Sequence, residues 1–168
     1  PITSLAELQE AVETYVVRAA EKLRKQQQRA ASLSVYTRTS PFAPGFYSRS
    51  ASTHLDLPSN DTQILLNAAL PLVERIFQPH RQLAKAGVLM EHLQDTEQLQ
   101  HHLLVPCSAA HLQRRDTLMN TIDGLNRRYG RGTVQWAACG LHSGWSMRRE
   151  RLGRAATTRL SDVPVVQA

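Results

Sequence analysis

The chain has only two cysteines, Cys107 and Cys139. That is too few for a disulfide framework, and it points to a reducing compartment. No apolar run approaches the roughly 20 residues that span a bilayer. No secretory signal opens the chain. The expectation is a cytoplasmic protein. A Gly-x-Ser-x-Gly nucleophile elbow is absent, which argues against a hydrolase built on that turn. The acids are scattered along helix starts and helix surfaces. Two-metal phosphoryl transfer needs them clustered. No internal repeat is present. Nor is an initiator Met: "PITSLAEL" reads as the middle of something longer, an excised region or a fragment. Lysine is scarce. Of 20 basic residues, 17 are Arg, which favours phosphate gripping over plain solubility.

What is there is a globular composition, 42% hydrophobic over 168 residues, enough for one domain or two small ones. The formal charge of +6 is uneven. Residues 55–100 are mildly acidic. Residues 114–159 carry ten arginines against Asp116, Asp123 and Glu150. Such a stretch is either a solvated basic face or the footprint of a polyanion or an acidic partner.

"SLAE", Ser4 to Glu7, is a capping box. Leu5, Leu8, Val12, Tyr15, Val16, Ala19 and Leu23 then keep a helical stripe to about Gln28. "SLSVYTRTS" alternates strictly: Leu33, Val35, Thr37 and Thr39 face one way, and Ser34, Tyr36, Arg38 and Ser40 the other. "YSRSASTHLDL" is a second strand with Ala51, Thr53, Leu55 and Leu57 inward. "PSND" caps a helix from about Asp61 to Phe77, in which Ile64, Leu65, Ala68, Leu72, Val73 and Ile76 are apolar. A kink or break is expected at Pro71. "AGVLMEHL" is a third strand. The order α-β-β-α-β over residues 1–94 spells an α+β domain, a small antiparallel or mixed sheet with two helices on one face. Residues 95–113 lose periodicity and read as a linker. A third helix, Asp116 to Tyr129, has Leu118, Ile122 and Leu125 at core spacing, with Gly130 as its left-handed cap. "TVQWAAC" reads as a short strand.

The stretch "DGLNRRYGRGTVQWAACG" is not a phosphate loop. A Walker loop needs four residues between its glycines followed by Lys-Ser/Thr, and a dinucleotide loop follows a strand and opens a helix. Here the helix comes first. His101, His102, Cys107 and His111 match no common zinc spacing, so no metal site is expected. What remains is binding. Tyr36, Arg38 and Ser40 share one strand face, and Ser48, Ser50, Ser52 and His54 share a face of the next. Short hydroxyls beside an Arg on an open sheet suit phosphate contacts. An ordinary solvent face is the alternative.

Several segments resemble the C-terminal part of the UmuC-type Y-family translesion DNA polymerases: "YVVRAAEKLRKQ", "TRTSPFAPGFYSRSAS", "KAGVLM", "LMNTIDGLNRRYGRGTVQWAACG", "WSMRRERL" and "TTRLSDVPVV". They run in family order over nearly the whole chain. The resemblance implies that residues 1–94 are the little finger, the DNA-binding module of these polymerases, lacking a strand that precedes Ile2 in the family. It makes Thr37, Arg38, Thr39, Ser48, Arg49 and Ser50 phosphate-contact candidates. Residues 95–114 would be a linker with a degenerate clamp-binding peptide, "QHHLL", in which Gln100, Leu103 and Leu104 would fill a groove on the clamp and Leu replaces the usual Phe. Residues 115–168 would be the UmuC-type C-terminal domain. Arg127, Arg128 and Arg131 form a basic patch for DNA or an acidic partner. The implied partners are DNA, the sliding clamp, a processed UmuD dimer and RecA, in a cytoplasmic, nucleoid-associated setting during the SOS response. The polymerase palm and its metal-binding acids are not in this sequence, so no catalytic residue or cofactor is expected in it; the full polymerase would use Mg. Near the end, "LGRAATT" stands where the family has "LSPRYTT", which puts the packing there in doubt. Two alternatives stay open: a protein-interaction module for the clamp or a UmuD-like partner, and a truncated remnant.

Overall fold

The computed structural model describes residues 1–42, 45–96 and 109–140, together with Trp145, Gly153, Thr158, Arg159, Ser161 and Val163. Its elements are α1 (Leu5–Lys25), β1 (Gln28–Thr39), β2 (Ser48–Ser59), α2 (Thr62–Ile76), β3 (Leu83–Asp95), α3 (Ala109–Tyr129) and a 3-10 turn, Ala137–Cys139. Helix α1 starts at the capping box. The Glu7 N–H donates to Ser4 Oγ at 3.2 Å, and the Glu7 carboxylate accepts the Thr3 and Ser4 amides at 3.2 and 3.4 Å. Those amides hold the exposed Glu7 carboxyl below its ordinary range. Helix α2 is capped by Asp61, whose Oδ1 accepts the Gln63 N–H at 2.8 Å. The helix continues through Pro71. Pro71 and Asn67 are both exposed, so water can take the bond that the missing N–H leaves to the Asn67 carbonyl.

The sheet is wholly antiparallel, in the order β2-β1-β3. Across it, Val35 lies opposite Ala51 and Val88, and Leu33 opposite Thr53 and Met90. These rows face the helices. Leu33, Val35 and Leu83 join Leu8, Val12 and Val16 of α1 and Leu65, Val73 and Ile76 of α2 in one core. The fold is α+β, with both helices on one face. Ile2 forms a single backbone bridge to Leu83 at the free edge of β3, with bonds of 2.9 Å in both directions.

The C-terminal part departs from expectation. Helix α3 begins at Ala109, seven residues before Asp116, inside the expected linker. Leu118 and Leu125, placed at core spacing, are exposed, and Met119 is the buried apolar residue of α3. The docked face carries Arg115, Asp116, Met119 and Asp123, a helical spacing made mostly of charges. Arg24 is buried and forks onto Asp123 at 2.6 and 2.8 Å, while its Nη1 donates to the Asn60 carbonyl at 2.7 Å and to Thr62 Oγ1 at 3.0 Å. Arg115 forks onto Asp61 at 2.6 and 2.7 Å. Arg29 reaches Asp116 at 3.2 Å. An apolar-stripe rule misses a face built this way. Residues 133–139 form no strand. Asn126 instead binds both the N–H and the C=O of Val134, at 2.8 and 3.0 Å, and Trp136 packs on the core. Gly130 does turn the chain, at φ 107°.

A buried ion pair is costly to break from one side, because the other charge stays buried without a partner. Arg24→Met is expected to lose about 3–5 kcal/mol of stability in urea unfolding, and Arg24→Met with Asp123→Leu to recover most of it. Burial pushes the Asp61 carboxyl up, but the Arg115 fork and the Gln63 and Ile64 amides outweigh burial and leave it below the usual aspartate range. A depressed folded pKa gives stability that is complete above the unfolded value of about 3.9 and is lost as pH falls through the folded one. Glu13 titrates in the opposite sense, raised by burial and by Glu10. Asp61 is therefore read by comparison: between pH 7 and 3 the melting temperature should fall less steeply for Arg115→Met than for the wild type.

Candidate nucleic-acid interface

The second face of the sheet is not covered by α1 or α2. Because side chains alternate along each strand, the register assembles four outward rows: Ser48–Arg38–Lys85, Ser50–Tyr36–Gly87, Ser52–Ser34–Leu89 and His54–Ser32–Glu91. Ser48, Ser50, Ser52, His54, Lys85 and Leu89 are exposed, and Tyr36 and Arg38 half-buried. A Cβ on Gly87 would lie 2.5–2.6 Å from the Tyr36 phenol. The Tyr36 ring therefore lies across bare backbone, and a side chain at position 87 would force the ring to move.

Charge is graded along this face. No Asp or Glu occurs between Tyr36 and Leu55 or between Arg75 and Met90. Arg38 and Lys85 therefore share one end of this face with no nearby acid in sequence. At the other end the Ser34 hydroxyl donates to Glu91 at 2.5 Å, Ser32 Oγ lies 2.9 Å from His92 Nδ1, and the His54 and His92 rings are 6.0 Å apart.

Arg38, Ser48 and Ser50 sit together on the open face. Thr37 and Thr39 do not. Thr37 is fully buried, and Thr39 is buried with its Oγ1 accepting the Tyr47 N–H at 2.9 Å. Their side chains point at the helices and cannot reach a phosphate; strand alternation overrides their position in the motif. Arg49 is exposed but lies in the row of Thr37 and Ala86, its guanidinium 6.0 Å from the Tyr47 ring. Lys85 was missed as a candidate. The alternation of "KAGVLME" carries the signal, since Lys85, Gly87, Leu89 and Glu91 share a face. Arg127, Arg128 and Arg131 are exposed at the end of α3, with Arg128 5.3 Å from the Tyr129 ring. Helix α3 is tied to the start of β1 through Arg29. Arg38 lies nine residues further along that strand, about 30 Å from Arg29. Gln100, Leu103 and Leu104 lie outside the described residues, as do His101, His102 and Cys107. Among the described residues no group of three His, Cys, Asp or Glu could hold a metal ion, and no helix is long and apolar enough to cross a membrane.

Residues 1–103 match the model of the impB/mucB/samB family C-terminal domain. The chain belongs to the impB/mucB/samB family. Residues 116–166 match a domain of unknown function, DUF4113. The ion pairs Arg24–Asp123 and Arg29–Asp116 thus join the two matched regions. Relatives include Protein UmuC of Salmonella typhimurium, 34% identical over 96% of this chain and 38% of that protein. Protein SamB of Salmonella typhimurium is 33% identical over 99% of the chain and 39% of its own length. Protein MucB of Escherichia coli is 32% identical over 98% of the chain. The chain spans under two fifths of the length of the first two of these family members.

The Tyr36–Gly87 contact gives a prediction. Gly87→Ala should destabilise the wild type by about 1–3 kcal/mol through overpacking. In a Tyr36→Ala background the same change should be neutral or stabilising, a coupling that a double-mutant cycle in urea would measure.

Proposed function

We propose that this chain is the DNA-binding and partner-docking C-terminal part of an error-prone translesion DNA polymerase of the UmuC type, which grips the template–primer backbone in DNA damage bypass. The observation that carries the reading is the row Ser48–Arg38–Lys85 on an open sheet face, at an end with no nearby acid in sequence, in a chain of this family. Arginine, lysine and short hydroxyls neutralise and hydrogen-bond phosphate oxygens, which positions a protein on a duplex without reading bases. Ser50 and Arg49 extend the contact surface. In this reading nucleotide transfer and its Mg²⁺ belong to other residues of the polymerase. The sliding clamp, a processed UmuD dimer and RecA are the partners that come with it. The Arg127, Arg128 and Arg131 end of α3 is the surface left for an acidic one.

Fluorescence anisotropy with primer–template DNA tests the reading. Affinity should fall linearly in log–log form with salt. Arg38→Ala and Lys85→Ala should each weaken binding for every sequence alike and lower the salt slope by about 1. A folded protein that binds no duplex at low salt would overturn it.

A further inference from the structure

The chain has three phenylalanines. Phe77 packs on the core. The other two stand on the loop joining β1 to β2, Phe42 at 95% and Phe46 at 57% exposure. A fully buried Phe is worth about 1.5–3 kcal/mol to a fold, and this fold leaves both out. The loop's base is nonetheless well anchored. Thr39 and Tyr47 pair through backbone at 2.9 Å, the Tyr47 hydroxyl donates to the Ile76 carbonyl at 2.9 Å, and Arg81 Nη1 donates to the Gly45 carbonyl at 3.0 Å. The Arg81 guanidinium also lies over the Tyr47 ring, 5.3 Å from its centre. Gly45, at φ 74°, supplies the left-handed turn between the two aromatics. Tyr47 is turned toward α2, while Phe46 beside it stays largely in solvent.

The surroundings say what kind of molecule meets this tip. Arg81 is bonded to Gly45 within the loop, Arg38 and Arg49 stand four residues before Phe42 and three after Phe46, Lys85 pairs with Arg38 across the sheet, and the sequence from Tyr36 to Leu55 holds no acid. Exposed flat apolar rings among cations fit a polyanion that also has flat apolar faces. A nucleic acid with unstacked bases has both. Because Gly45 and Tyr47 on either side of it are anchored, little ordering opposes a contact at Phe46.

We infer that Phe42 and Phe46 form a base-stacking tip, which directs this chain to single-stranded DNA and to single-strand–duplex junctions rather than to continuous duplex. The inference rests on the DNA-binding reading above. Arg38 and Lys85 hold the backbone, and the rings take an unpaired base beside it. Stacking of one base on an aromatic is worth roughly 5- to 150-fold in affinity by alanine substitution, without sequence preference.

The experiment titrates the full chain against a continuous duplex, a primer–template with a single-stranded overhang, and a single strand. The last two carry 2-aminopurine. Phe42→Ala with Phe46→Ala should weaken binding to the last two DNAs by at least 5-fold and abolish the 2-aminopurine emission change, leaving the duplex unaffected. Phe42→Trp should preserve binding and Phe42→Leu should not, since a leucine keeps apolarity but has no flat face. Arg38→Ala should weaken all three. Wild-type binding with no effect of the double alanine variant, or an equal loss on all three DNAs, overturns the stacking tip and leaves the backbone grip standing. A leucine as good as phenylalanine overturns it too, in favour of an apolar protein groove. No binding of any DNA by the folded wild type overturns both readings.

Discussion

Strand β1 has a neighbour on each edge, and the fold is organised by that constraint. Its backbone is spent on pairing with β2 and β3, so its side chains can only leave through two faces. One set, Leu33, Val35 and Thr37, is fully buried against the helices. The other, Ser32, Ser34, Tyr36 and Arg38, leaves through the second face, where Ser32 and Ser34 are buried and Tyr36 and Arg38 half-buried. A shift of one residue would exchange them. The cost of exposing Leu33 and Val35 and burying Arg38 holds the register, so the stability of the core and the chemistry of the open face are one decision.

A second organisation is electrostatic. The C-terminal helix is attached through charges: Asp123 to Arg24, Asp116 to Arg29, and Arg115 to Asp61. Arg24 does most of the joining, because one guanidinium binds α3, the Asn60 carbonyl and the Thr62 hydroxyl. This arrangement pairs both acids of α3 and leaves Arg127 and Arg128 on its exposed end. Beyond α3, Gly140 lies against Glu10 and the ring of Trp145 is edge-on to Tyr15. The half-buried Cys139 thiol is pushed above its ordinary range by desolvation first and by Glu13 and Glu10 after it.

Much of the first 94 residues was legible. The Ser4–Glu7 capping box, the alternation around Val35 and the cap at Asp61 are local features, and local chemistry decides them. The errors lie where a distant residue decides. Leu118 and Leu125 look like a core stripe, but the face of α3 that docks is chosen by partners about 90 residues away in sequence, Arg29 and Arg24. "TVQWAAC" has strand composition, but a strand needs a neighbour, and Asn126 takes up the Val134 backbone instead. In the candidate site, motif position alone put Thr37 and Thr39 beside Arg38, and alternation separates them from it.

The sequence by itself determined the element order, the α+β class, the hydroxyl-and-arginine face of β1 and β2, and the resemblance to its family. Periodicity and capping act over a few residues, and that is as far as they reach. The tertiary structure decided that Lys85 completes the row of Arg38, that Gly87 is the floor under Tyr36, that Phe42 and Phe46 stand out from an anchored loop, and that α3 is held by buried charge. Each of these depends on which strands pair and which helices meet, and the free energy that selects those pairings is shared among residues far apart in the chain.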